Sequence, residues 1–248
     1  MKLLITGDWQ ASIQNLDRCL ILKNQIVQLL KSCSKVDNTF FIHLGDVKEA
    51  HNPVDVRVTN FIVEAFQEIR RSCNGILFVK GNHDMISAHD GVTSCIPLIA
   101  SLKATVADEN WVKVPIRLIG WKQTVVKYLL IYMVPYARNL EKQKRMFAEA
   151  AADAALPEYK DSMSTTVSTD NVKILCFHQT ISGCRQNLHT KGIGINVSDI
   201  VADNYDICLG GHIHLSQKIP PNIIYVGSPF PMDWNECNSI HRILQITI

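Results

Sequence analysis

The sequence predicts an α/β fold in which two packed β-sheets are flanked by helices. Three observations predict it. Apolar runs of strand length recur at residues 2–6, 39–44, 75–80, 172–177 and 205–209, and their β-branched and aromatic content favours buried strands. Stretches with helical apolar spacing fill several of the gaps between them. Further strand-like runs at 116–121, 128–134, 222–226 and 242–248 exceed what one parallel sheet holds between the helices available, so two sheets are expected.

Taken in order, KLLIT at 2–6 is the first strand, and Leu16, Leu20, Val27 and Leu30 give residues 16–30 a helical apolar stripe. TFFIHL at 39–44 is the second strand. Val58, Ile62, Ala65, Phe66 and Ile69 make a helix of residues 56–69, and GILFVK at 75–80 returns to strand. Residues 140–156 are rich in Ala, Glu, Lys and Met, strong helix formers, and Pro157 closes them. Residues 158–171 turn polar around a Ser/Thr-rich stretch at 162–169 and read as a mobile surface loop. VKILCF at 172–177 and YDICL at 205–209 complete the long apolar runs. No internal repeat is evident. A single domain over residues 1–248 is expected, because α/β units of roughly 200–250 residues are routine.

Composition narrows the class. With 47% apolar residues the chain can bury a sizeable core, and a formal net charge of +2 neither demands nor excludes nucleic acid, since a basic patch can be local. No apolar run approaches the ~20 residues of a membrane helix, and the N-terminus lacks the architecture of a signal peptide. The cysteines at 19, 33, 73, 95, 176, 184, 208 and 237 form no Cys-x-x-Cys, and several lie inside apolar runs. They read as reduced, mostly buried thiols, which favours a cytoplasmic location.

The chemistry lies where the apolar runs end. Asp8-Trp9-Gln10, Gly45-Asp46-Val47-Lys48-Glu49, Gly81-Asn82-His83-Asp84, Cys176-Phe177-His178-Gln179 and Gly211-His212-Ile213-His214 each follow a strand-like run. Ligands of open α/β sheets bind outside the carboxyl ends of the strands, so these motifs converge on one edge. They offer carboxylates, an amide and imidazoles, the ligand set of a two-metal hydrolytic site. A lone Gly-Asp or His-x-His is common by chance; the ordered set is specific.

In that order the motifs resemble the calcineurin-like metallophosphoesterases, over Asp8 to Glu236. Within them the chain is most similar to the SbcD-type DNA nucleases of double-strand-break repair and recombination, through DVKEAHNP at 46–53, DICLGGHIH at 206–214 and YVGSPFPMDWNE at 225–236. The resemblance implies a four-layer α-β-β-α sandwich with a dinuclear metal site at the strand ends. It implies that Asp46 bridges two metals, that Asp8, His214 and position 10 complete the first shell, and that Asn82, His178 and His212 hold the second metal. His83 would contact phosphate and protonate the leaving oxygen, with Asp84 orienting its ring. The implied reaction is cleavage of the DNA backbone, as exonuclease or endonuclease, by a metal-bound hydroxide. A shell mixing oxygen and imidazole suits manganese, or iron, better than magnesium alone.

Two departures qualify the likeness. The family usually has histidine where this chain has Gln10, a weaker donor to transition metals, so a looser first metal is expected. The nucleases also continue into a DNA-capping region and a segment that docks on a coiled-coil ATPase, whereas this chain ends at Ile248. The resemblance therefore covers the phosphoesterase core, and an SbcC-like ATPase partner is an expectation carried by the family alone. Two other readings stay open: a phosphatase or small-molecule phosphodiesterase on the same scaffold, and a weakened-site binding subunit of a nuclease complex.

Other residues invite plainer accounts. His43, inside an apolar strand, reads as a core histidine. Glu49 and His51 fit either support of the metal shell, DNA contact or a solvated loop. Asp90 reads as a helix cap more simply than as a substrate contact beside His89. His189 and His241 read as structural. Arg185, His189 and Lys191 form a phosphate-contacting patch or a solvated loop. Phe230 and Trp234 either stack on bases or pack beneath their loop.

Overall fold

The computed structural model describes residues 1–33, 38–49, 51, 54–85, 96–118, 127–160, 167–168, 170–187 and 190–248. Its strands are β1 (Lys2–Thr6), β2 (Thr39–His43), β3 (Gly75–Val79), β4 (Thr105–Ala107), β5 (Val112–Leu118), β6 (Lys127–Val134), β7 (Tyr159–Lys160), β8 (Val167–Ser168), β9 (Val172–His178), β10 (Ile207–Gly211), β11 (Gln217–Ile219), β12 (Ile223–Tyr225) and β13 (Leu244–Thr247). Its helices are α1 (Leu16–Cys33), α2 (Val56–Ser72), α3 (Ile96–Ser101), α4 (Leu140–Ala154) and α5 (Val197–Ile200), with short 3-10 turns after α5 and β12.

A strand whose consecutive residues are all apolar has no face to give to water and must be covered on both sides. The central strands of both sheets approach this. In β1, Leu3 and Ile5 face the second sheet while Leu4 faces the helices; in β6, Leu129, Ile131 and Met133 face one way and Leu130, Tyr132 and Val134 the other. Three apolar clusters result. One lies between the sheets, one beneath α1 and α2, and one beneath α4 and α5. That stack is the four-layer α-β-β-α sandwich.

Both sheets are mixed. The first runs β13-β1-β2-β3-β4, parallel except for β13, and the second runs β11-β12-β10-β9-β6-β5, parallel through its centre with antiparallel strands at both edges. The parallel centres place the carboxyl ends of β1, β2 and β3 together, and likewise those of β9 and β10. A fully buried aromatic such as Phe177, packed on Phe147 and Tyr225, illustrates what holds the layers: truncating such a ring costs roughly 3–5 kcal/mol.

The element boundaries differ from expectation where chemistry overrides pattern. The strand expected from 116 begins at Val112 and runs through Pro115, which is tolerated because β5 is a sheet edge; positions 119–121 lie outside the described residues. The expected loop at 158–171 contains the paired strands β7 and β8, and Tyr159 packs edge-on against Tyr128 at 4.8 Å. Positions 161–166 and 169 of that stretch lie outside the described residues. No helix among the described residues is long and apolar enough to cross a membrane.

Candidate metal centre

The motif-bearing loops leave their strands through backbone that most residues avoid. Asp8, Gln10, Asp46 and His212 have φ of 51°, 41°, 56° and 80°. Such left-handed conformations cost roughly 1–3 kcal/mol each and persist only where the surroundings over-determine them. Here the first two loops lace together: Asp8 N–H donates to the Gly45 carbonyl at 2.8 Å, Gln10 N–H to that of Asp46 at 2.9 Å, and Ala11 N–H to that of Val47 at 2.9 Å. Gly81 allows the third loop to join them, since a Cβ there would lie 2.1 Å from Asp46 Oδ1. Gly45, at φ 98°, lets His178 approach; a Cβ would meet its Nδ1 at 2.5 Å.

Asp84 binds these loops into one body. Its buried carboxylate accepts from the N–H groups of Asp46 and Gly81, each at 2.8 Å, and of Val47 at 3.0 Å. The expected role of Asp84, orienting the His83 imidazole, is corrected accordingly: both its oxygens serve the main chain. The His83 ring instead sets Nδ1 against the Glu49 carbonyl and stacks on His51, with centroids 5.7 Å apart and planes 3° from parallel. Burial and the neighbouring Asp46 charge both push the Asp84 carboxyl upward.

Asp46, His178 and His212 each offer a donor atom, all within 4.8 Å of one another. His178 bonds through Nδ1 to the Leu44 carbonyl at 2.6 Å, which leaves Nε2 facing Asp46 Oδ2 at 3.3 Å and Asn82 Oδ1 at 3.1 Å. His212 Nδ1 lies 2.7 Å from the same Asn82 oxygen. The structure therefore brings Asp46, Asn82, His178 and His212 to one point.

Asp8, Gln10 and His214 form the adjoining cluster. Both carboxylate oxygens of Asp8 accept from His212 N–H, at 3.0 and 3.2 Å. Gln10 turns inward, its amide nitrogen 3.0 Å from His214 Nε2. His214 Nδ1 is held at 2.7 Å by Glu236, whose other oxygen accepts from Met232 N–H and the Ser228 hydroxyl.

The electrostatics are those of crowded buried carboxylates. Burial would raise Asp46, but the charge and hydrogen bond of His178 outweigh it and hold Asp46 well below the usual carboxylate range. Burial lifts Asp8 to about 6 despite nearby imidazoles. Against its own burial, His178 is pushed up to about 9 by Asp46, whereas burial and the His178 charge take His212 down to about 3. The donor chemistry fits divalent cations: buried oxygens gather beside imidazoles whose outer nitrogens are already fixed by Leu44 and Glu236, the usual support of metal-binding histidines.

Three residues of this neighbourhood were not selected from sequence as site residues. Glu236 closes the YVGSPFPMDWNE stretch, which is the signal that could have singled it out. Fully buried Lys48 sends its ammonium to the carbonyls of His83 and Met85, fixing the segment that carries His83. Tyr136, just past β6, packs its ring 6.3 Å from His178 and 6.1 Å from His212. The same rule of looking past strand ends would have found it.

The remaining residues take plain places. His43 is fully buried, stacks on Phe78 at 5.0 Å, accepts from Gly45 N–H at 3.2 Å and is pushed by burial down to about 3. His241 bonds the carbonyls of Ser228 and Glu236, anchoring their loop. Arg185 and Lys191 are exposed. Phe230 packs against the cluster under α1 and α2, while Trp234 is 91% exposed. His89, Asp90 and His189 lie outside the described residues.

The family model of the calcineurin-like phosphoesterases matches residues 1–216. Among solved structures, a phosphopantetheinyl hydrolase of Mycobacterium tuberculosis aligns with a TM-score of 0.57 at 12% identity, covering 99% of this chain and 95% of that one. The phosphoesterase Yfce of E. coli aligns with a TM-score of 0.37 at 15% identity, covering 92% and 80%. No curated protein matches in sequence.

Proposed function

Because the chain belongs to the calcineurin-like phosphoesterases, we propose that it is a divalent-metal phosphodiesterase whose substrate is the DNA backbone. The observation that carries the hydrolytic reading is the convergence of Asp8, Asp46, Asn82, His178, His212 and His214 from the ends of two sheets. The choice of DNA is supported by the YVGSPFPMDWNE segment, which resembles the nuclease branch and packs Glu236 behind His214.

When bound, the metal pair supplies positive charge that neutralises the phosphate and lowers the pKa of water. Manganese is the proposed metal, given the mixed oxygen and imidazole donors. Asp46 stands with His178 and His212, its main-chain carbonyl accepts from Gln10 N–H of the adjoining cluster, and it would serve both. His83 holds the proton for the leaving oxygen: its Nδ1 is set by the Glu49 carbonyl, which leaves Nε2 for substrate. Lys48 and Asp84 hold the main chain on either side of that ring.

The test is cleavage of labelled single- and double-stranded DNA in manganese, run beside a chromogenic phosphomonoester. Strand scission that outpaces phosphomonoester turnover is expected. Turnover of the monoester with intact DNA would replace the nuclease reading by a phosphatase.

A further inference from the structure

Between the exit of β1, the start of α1 and the segment after β12 lies a cavity of about 460 Å³, with Gln10, Ser12, Gln14, Arg18, Glu49 and Met232 in its walls. Its volume falls within the roughly 300–1,000 Å³ of sites that enclose a small organic group. Gln10 is the partition: one side of it faces the cavity and its amide nitrogen meets His214. A group attached to a phosphate at the metal centre would enter here.

The lining does not suit a second phosphate. Arg18 is its one cationic side chain among the described residues, and that guanidinium donates to the Pro231 carbonyl at 3.2 Å. The Glu49 carboxylate in the same wall repels further negative charge. What the cavity offers instead is amide, hydroxyl and thioether. Asn15 is committed to the wall itself, accepting from Ser12 N–H at 2.8 Å and donating to the Gln10 carbonyl at 3.0 Å. Gln14 and Ser12 line the space and bring an amide and a hydroxyl, donors and acceptors of the kind that pair with base edges, and Met232 with Pro231 adds apolar surface for a ring.

We propose that this cavity is the subsite for a nucleoside attached to the scissile phosphate, with Gln14 and Ser12 meeting its polar edge and Met232 its face. The inference rests on the phosphodiesterase reading and extends it by placing the flanking nucleoside. A DNA chain and a free nucleotide ester present the same unit, so the experiment separates them.

Calorimetry on the manganese-loaded protein compares deoxynucleoside monophosphates with inorganic phosphate. The nucleotides should bind roughly ten-fold or more tighter, the scale of one well-made base contact. Gln14→Trp, which fills the cavity from an exposed position, should erase that difference, and Gln14→Ala should reduce it. Equal affinities in the wild type, or a difference that survives Gln14→Trp in a protein of unchanged melting temperature, overturns the subsite. Labelled oligonucleotide cleavage is scored separately. Nucleotide preference without strand scission keeps the subsite, assigns free nucleotide esters as its source and removes the DNA reading. Scission without nucleotide preference does the reverse.

Discussion

The two side-chain clusters of the candidate metal centre are held by different means. On the Asn82 side, His178 is fully buried and its outer nitrogen is fixed by the Leu44 main chain, while Tyr136 covers both imidazoles. On the Gln10 side, the His214 side chain is 21% exposed, and its outer nitrogen is fixed by a side chain, Glu236, from a segment that also borders an open cavity. A ligand oriented by backbone inherits its position from the fold. A ligand oriented by a side chain can be retuned by one substitution, and the unusual Gln10 lies on that side.

The broadest way to break the comparison is to remove the metals. Excess chelator should abolish DNA cleavage and manganese should restore it better than magnesium; undiminished cleavage under chelation would leave neither half a role. Next in size is His83→Ala, expected to lower the cleavage rate by roughly 10²–10⁴-fold, the usual contribution of general acid–base catalysis. Calorimetry should still count two metals in that variant, and their joint loss would make His83 a ligand.

Glu236→Gln sharpens the asymmetry. It should weaken metal binding on the Gln10 side by roughly 10–100-fold, the usual effect of removing a ligand's outer partner, while the Asn82 side keeps its affinity. Equal weakening of both sites in a two-site titration would contradict the division drawn here. The smallest expected effect is that of Gln10→His, which should lower the manganese concentration for half-maximal cleavage. Superimposable titrations of wild type, Gln10→His and Gln10→Ala would mean that position 10 never touches metal.

The layered fold was legible because its strands are apolar on both faces, as in YLLIYMV of β6, and because carboxylates, amides and imidazoles stand at the ends of several strands. β4 and β11, each three residues long, carry too little pattern to be read locally and exist through pairing with neighbours. The motifs pointed to the centre, yet the support beneath them did not follow from spacing. Glu236 is 22 positions from the imidazole it holds. Asp84 sits beside His83 in sequence but turns to the amides of Asp46 and Val47 in another loop and of Gly81 in its own, a choice decided by burial rather than adjacency.

Three amides closed on one buried carboxylate also act as a clock. Those of Asp46, Val47 and Gly81 can trade hydrogen for deuterium only when Asp84 releases them, so their exchange reports how often the loops around the centre come apart. The resting protein thus carries its own timer of site integrity, readable without metal, substrate or turnover.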